Sequence, residues 1–159
     1  MKKILFVLLS TFMIVQLNAQ GVKETYIPNQ VLLKEFKENL SACFKDASCD
    51  LSTKRLHFTV PEAEKMNAQL MKNNYPDADK NAPATIVNMS TQLMNRLQSL
   101  KKDNATVEFG NYNCRYGATK DMKLIEMLLI FKKDDMVIEN LRVILVEREK
   151  GYLMIKITE

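Results

Sequence analysis

The hydrophobic period of this chain changes at Asn104. Upstream, apolar residues recur every three or four positions; downstream, they alternate every two. A pattern of this kind places helices first and a strand meander last, which is an α+β arrangement. The expectation is a set of N-terminal helices packed on a C-terminal antiparallel sheet of about four strands.

Pro28 opens the first periodic segment, in which Leu32, Leu33, Phe36, Leu40, Cys43 and Phe44 share one face of a helix over residues 29–45. A polar break follows at 46–50, and 51–58 reads as a helical turn followed by a short strand. Thr59-Val60-Pro61-Glu62 has the form of a capping box: the threonine side chain takes an amide three residues on and Glu62 reaches back. Ala63, Met66, Leu70 and Met71 give the second helix its buried side, and the residues around Pro76 form a loop. Pro83 begins the third helix, with Ile86, Met89, Leu93, Leu97 and Leu100 in one stripe.

Beyond Asn104, Val107 and Phe109 alternate on odd positions but Tyr112, Cys114 and Tyr116 on even ones. A bulge at Gly110-Asn111 would restore the face. Residues 122–132 and 136–148 read as two strands around Asp134-Asp135, and 152–158 as a last strand after the turn at Lys150-Gly151. The central pair is apolar on both faces, so both are expected to be covered in part.

Residues 1–19 have the layout of a secretory signal peptide. Lys2 and Lys3 precede an apolar run from Ile4 to Val15, and the small residue Ala19 stands at the expected cut before Gln20. That run is shorter than the roughly 20 residues that span a bilayer, although an uncleaved anchor is the alternative. The Lys-Lys start and Ala-Gln end match a Gram-negative bacterial export signal, which implies a periplasmic or secreted protein with one domain over residues 20–159. The formal charge of the whole chain is +4, and it drops by two when Lys2 and Lys3 leave. So small an excess, together with export, argues against nucleic acid as a partner.

An oxidising compartment makes the three cysteines informative. Cys43 and Cys49 are six positions apart and can staple the end of the first helix to the loop after it; the alternative joins one of them to Cys114. A buried free thiol is expected of whichever is unpaired.

The long N-terminal helix, the later long helix from Pro83, the four closing strands and the ending Gly151-Tyr152-Leu153-Met154-Ile155-Lys156-Ile157 together resemble the NTF2-like superfamily. The resemblance implies a cone-shaped fold with a curved sheet. It is one of element order, without a shared motif, and it departs in the helix after Pro61 and in the lack of tryptophan. The superfamily hosts isomerases, carrier modules and many exported bacterial domains, so no single activity follows from it.

Chemistry is sparsely encoded. His57 is the one histidine, no metal-ligand spacing is present, and no cofactor is expected. Four glycines leave no phosphate-cradling loop, and no serine sits in a nucleophile elbow. Glu126 interrupts an apolar run and is the weak candidate for acid–base work of the kind isomerases of the resembling fold perform. Arg142 interrupts the partner strand. A three-residue hairpin loop over 133–135 would set the two directly opposite and hold Glu126 ionised, whereas a two-residue loop would slide the register. Tyr112 and Tyr116 are the candidate ligand-binding residues, because on a concave sheet they would line the mouth of a cone. The leading expectation is a non-enzymatic module that binds a small apolar ligand or an envelope protein. A pocket enzyme of isomerase or dehydratase type and a structural homodimer are the alternatives.

Overall fold

A computed structural model gives the fold and describes residues 25–72, 82–117 and 120–156. The signal segment with its Ala19–Gln20 cut, the side chains of Leu70 and Met71, and the loop around Pro76 lie outside the described residues. Among the described residues, three helices, a short 3-10 turn and a four-stranded antiparallel sheet follow one another: α1 (Gln30–Lys45), the turn Leu51–Lys54, α2 (Val60–Lys72), α3 (Ala82–Lys102), β1 (Thr106–Tyr116), β2 (Lys123–Lys133), β3 (Met136–Arg148) and β4 (Gly151–Lys156). The sheet is a plain meander in the order β1-β2-β3-β4. None of the described helices is long and apolar enough to cross a membrane.

Local chemistry sets the helix ends. Asn29 caps α1, its side-chain oxygen accepting from the amides of Val31 and Leu32 at 3.1 and 3.2 Å. At α2 only half of the reciprocal box forms. Glu62 accepts from the Thr59 amide at 2.9 Å, but the Thr59 hydroxyl donates to the same carboxylate at 2.7 Å and takes no amide among the bonds found there. Asn104, at φ 59°, ends α3 in a Schellman motif. The Ala105 amide reaches the Leu100 carbonyl and the Asn104 amide reaches that of Lys101, both at 3.0 Å.

Two bulges keep the strand faces in phase. Gly110 and Asn111 of β1 together oppose Leu128, so Phe109 pairs with Leu129 and Tyr112 with Met127. Space is tight here: a Cβ at 110 would lie 3.1 Å from that of Leu128, so a larger residue would require Leu128 to give way. The β2–β3 turn contains two residues, Asp134 and Asp135, both in the left-handed region at φ 51° and 62°. Aspartate tolerates this conformation better than most side chains, and it gives the twist that a two-residue hairpin requires. Such a turn alone would set Leu129 opposite Asn140. A second bulge, at Ile138, restores the match of Leu129 with Leu141 and of Met127 with Val143.

The helix-facing side of the sheet carries Ile125, Met127, Leu129, Phe131, Leu141, Val143 and Leu145, all buried against residues of α1 and α3 such as Phe36, Leu40, Leu93 and Leu97. Full burial of side chains this size contributes about 1.5–3 kcal/mol each. Among the described residues, the other side is covered only at one end, where Phe58, Ala63 and Met66 pack on Leu124, Val146 and Leu153. Farther along that side Leu128 and Ile130 stay half-exposed.

The free edge of β4 is closed by residues 56–58. His57 forms a parallel bridge with Met154, and the Met154 amide donates to the Leu56 carbonyl at 2.7 Å. Ser90 of α3 completes this seam: its hydroxyl donates to the Met154 carbonyl at 2.7 Å and accepts the Phe58 amide at 2.9 Å. The edge is thereby denied to other strands.

Candidate functional site

A groove of about 390 Å³ opens between α1, the turn Leu51–Lys54, the start of α2 and the β3–β4 hairpin. Its apolar lining comes from Phe36 and Leu40 on α1, Leu51 and Leu56, and Tyr152 and Leu153 on β4. The positions follow from local chemistry. Phe36 and Leu40 are four apart on the buried face of α1. Leu51 is held where the Cys43–Cys49 disulfide, with a Cα–Cα distance of 5.2 Å, turns the chain after α1. Asp50 caps the 3-10 turn by accepting the Ser52 amide at 2.9 Å.

The groove also carries charge. Lys54 and Arg55 come from the turn and Arg148 and Lys150 from the hairpin, while Glu35 and Glu62 stand among them. Burial opposes ionisation of Glu62, yet the Thr59 amide and hydroxyl, with Arg148 close by, hold its carboxyl below the usual carboxylate range. The half-buried Arg148 guanidinium lies 5.9 Å from the Phe58 ring centroid. Its buried Nη2 has no hydrogen-bond partner among the described residues.

Tyr152 joins this groove to a second cluster on the helix-facing side of the sheet. Its hydroxyl donates to Glu147 Oε2 at 3.3 Å, and Lys123 Nζ reaches Glu147 Oε1 at 3.2 Å. Lys123 also sits 5.6 Å from the centroid of the Tyr26 ring, which packs at 5.3 Å on Tyr116. Burial, followed by the nearby Glu147 carboxylate, pushes the Tyr152 hydroxyl and the Cys114 thiol upward. Burial, then Cys114 and Glu147, does the same to Tyr26. These groups are therefore neutral near pH 7, and Cys114 is a poor nucleophile.

A pH dependence follows. A tyrosine whose folded pKa lies above the ordinary 10.0 contributes stability that is complete below pH 10 and is lost as pH rises, because the unfolded chain ionises first. The buried Tyr26 hydroxyl has no hydrogen-bond partner among the described residues, so phenylalanine there sacrifices no bond. Urea unfolding of Tyr26→Phe is expected to show unchanged or greater stability at pH 7, by up to about 1 kcal/mol, and a shallower decline above pH 10. A loss of more than about 1 kcal/mol at pH 7 would show that the hydroxyl is bonded after all.

The residues singled out by sequence are distributed differently. Tyr112 and Tyr116 do share the helix-facing side with Cys114, but neither lines the groove. Tyr112 sits 5.0 Å from Lys37 Nζ, and Tyr116 lies against Tyr26. Glu126 is on the other side of the sheet. The three-residue loop is replaced by the two-residue turn with its bulge, so Glu126 faces Ile144, and Arg142 faces Leu128. The two charges still meet on the diagonal at 3.6 Å, with Arg142 about half exposed, an ion pair of small worth. Cys43 and Cys49 are joined, and Cys114 is a free, half-buried thiol. No cluster of metal-ligating side chains occurs among the described residues.

Sequence reasoning missed Tyr26, Lys123, Glu147, Arg148 and Tyr152. A signal was present for two of them. Lys123 and Glu147 occupy inward positions of otherwise apolar strands, in line with Ile125 and Leu145, and their charges are opposite. Comparison with protein-family models, curated proteins and solved structures gives no match for this chain.

Proposed function

We propose that the protein is an exported, non-enzymatic binding module of NTF2-like type that holds a small, largely apolar ligand in the groove beside α1. The observation that carries this reading is the groove itself. Its volume lies in the range of small-molecule sites, and its lining combines leucine, phenylalanine and tyrosine side chains with the charged Glu35, Lys54, Arg55, Glu62, Arg148 and Lys150. Export is supported by the basic start, short apolar run and Ala19 of the N-terminal segment and by the Cys43–Cys49 bond. The element order, helices and then an antiparallel meander, supports the superfamily. A binding role is preferred to a pocket enzyme because Glu126, the candidate carboxylate, is ion-paired with Arg142 on the far side of the sheet.

Native mass spectrometry of the protein purified from its host's envelope, followed by titration with an apolar fluorescent dye, tests the reading. A retained small molecule, or saturable dye binding that Leu32→Glu, at a partly exposed position of the groove, abolishes without moving the unfolding midpoint, is the expected result. A bare protein that takes up no dye would overturn it. A bare homodimer would shift the assignment to the structural alternative, with the half-exposed Leu128 and Ile130 and the exposed Met136 and Val137 as the surface to examine.

A further inference from the structure

We infer that the free edge of β1 is an interface between two copies of this chain, paired antiparallel about an axis at the Gly110-Asn111 bulge. The inference is independent of the groove, whose lining takes no residue from β1. It starts from the two edges of the sheet. The β4 edge is closed by residues 56–58, through the Met154–Leu56 bond and the Ser90 hydroxyl. Along β1 the only backbone partner among the described residues is β2. The strand is 11 residues long, and the amide and carbonyl of every second residue point away from β2. Edges of that length are normally blunted with lysine or proline. β1 holds neither.

The bulge bears on what can pair there. Before it the helix-facing side chains are Val107 and Phe109; after it they are Tyr112, Cys114 and Tyr116. A straight strand keeps phase along this edge only by setting one residue against two, as β2 does at Leu128. A second β1 carries the same step at the same place and matches every residue. With Gly110 opposite the partner's Asn111, Phe109 meets the partner's Tyr112 and Val107 meets the partner's Cys114 on the helix-facing side. On the other side Glu108 meets the partner's Asn113, and Thr106 the partner's Arg115. Phe109 and Tyr112 are each only half-buried in one copy, and the symmetry forms their aromatic pair twice.

Charge supports the same register. Glu108 and Arg115 are the two charged residues of β1, and both lie on the side away from the helices, opposite Ile130 and Leu124. Across the axis they become diagonal neighbours of opposite sign, within reach of long side chains. Glu108 holds Lys132 at 2.7 Å but stays half-exposed, and Arg115 has no ion-pair partner among the described residues. The assembly also closes. Each copy has one free sheet edge among the described residues, so pairing stops at two.

The test is sedimentation equilibrium of the exported protein over a range of concentrations, with hydrogen exchange at each end of the range. A reversible dimer is expected, in which β1 amides exchange more slowly than in the monomer and β4 amides do not. Glu108→Arg and Arg115→Glu each set like charges across the axis and should raise the dissociation constant about tenfold or more. The two together exchange the charges and should return it to within a few-fold of the wild type. A rescue of that kind cannot come from damage to the fold. Asn111→Lys, at the exposed bulge, should part the copies without moving the unfolding midpoint of the monomer. Dye uptake at the groove should be unchanged in all four variants, so failure of either reading leaves the other standing. A monomer at every concentration would overturn the inference. So would a dimer that withstands both charge reversals, or one whose β1 amides exchange as in the monomer. A strand of another protein retained on this edge in place of a second copy would overturn it as well.

Discussion

Replacing Ser90 with alanine is expected to destabilise the protein by about 2–4 kcal/mol, as much as truncating a core leucine. Ser90 is fully buried and its single oxygen serves two backbone groups, accepting the Phe58 amide and donating to the Met154 carbonyl. Alanine fits the space and favours a helix slightly more than serine, by roughly 0.5 kcal/mol. It leaves both an amide and a carbonyl buried without that partner, however, at about 1–3 kcal/mol each. The hydrogen bonding of residues 56–58 to β4 then rests on the Met154–Leu56 bond, beside the packing of Phe58 on Leu153. Urea unfolding monitored by circular dichroism measures the loss, and hydrogen exchange at Phe58 should accelerate first. A change below about 0.5 kcal/mol would mean that the seam does not depend on Ser90.

Much of the framework was legible because it follows from short-range chemistry. The parity change between Phe109 and Tyr112 located the β1 bulge at Gly110-Asn111, and helical spacing gave the buried faces of α1 and α3. The short separation of Cys43 and Cys49 suggested their pairing. The β2–β3 register was not legible, for a physical reason. Met136, Val137 and Ile138 are three consecutive apolar residues, so the pattern there accepts either parity. A bulge at Ile138 leaves no trace when the two residues before it are also apolar. Asp134-Asp135 suits a two- or a three-residue connection equally well. The groove was hidden for a different reason: its walls come from α1, the turn at Leu51 and the β3–β4 hairpin, segments brought together only by tertiary packing. Reading Lys123 and Glu147 as inward charges of opposite sign needed only their parity with Ile125 and Leu145, and would have led to Tyr152.

Removing the disulfide with Cys43→Ser and Cys49→Ser is expected to cost about 2 kcal/mol from loop-closure entropy, and to weaken ligand uptake by more than that loss alone explains. The bond closes a loop with a sequence separation of 6 between α1 and the 3-10 turn. Within the loop, Asp46 accepts the Ser48 amide and hydroxyl at 2.9 and 2.7 Å, and Lys101 Nζ donates to the Ala47 carbonyl at 3.2 Å. These contacts are mostly exposed and cannot replace a covalent tie. Downstream of it sit Leu51, Lys54 and Arg55, which form one wall of the groove. Freed of the tether, that wall must be ordered by the ligand, so binding bears a conformational cost it does not bear in the oxidised protein. Parallel urea and dye titrations of the wild type with and without dithiothreitol, and of the double serine variant, measure both effects. Cys114→Ser, which leaves the bond intact, should retain full dye affinity. Reduced and oxidised proteins of equal stability and affinity would show that the loop is held by its noncovalent contacts. Lower stability with unchanged affinity would confine the disulfide to the fold and separate it from the site.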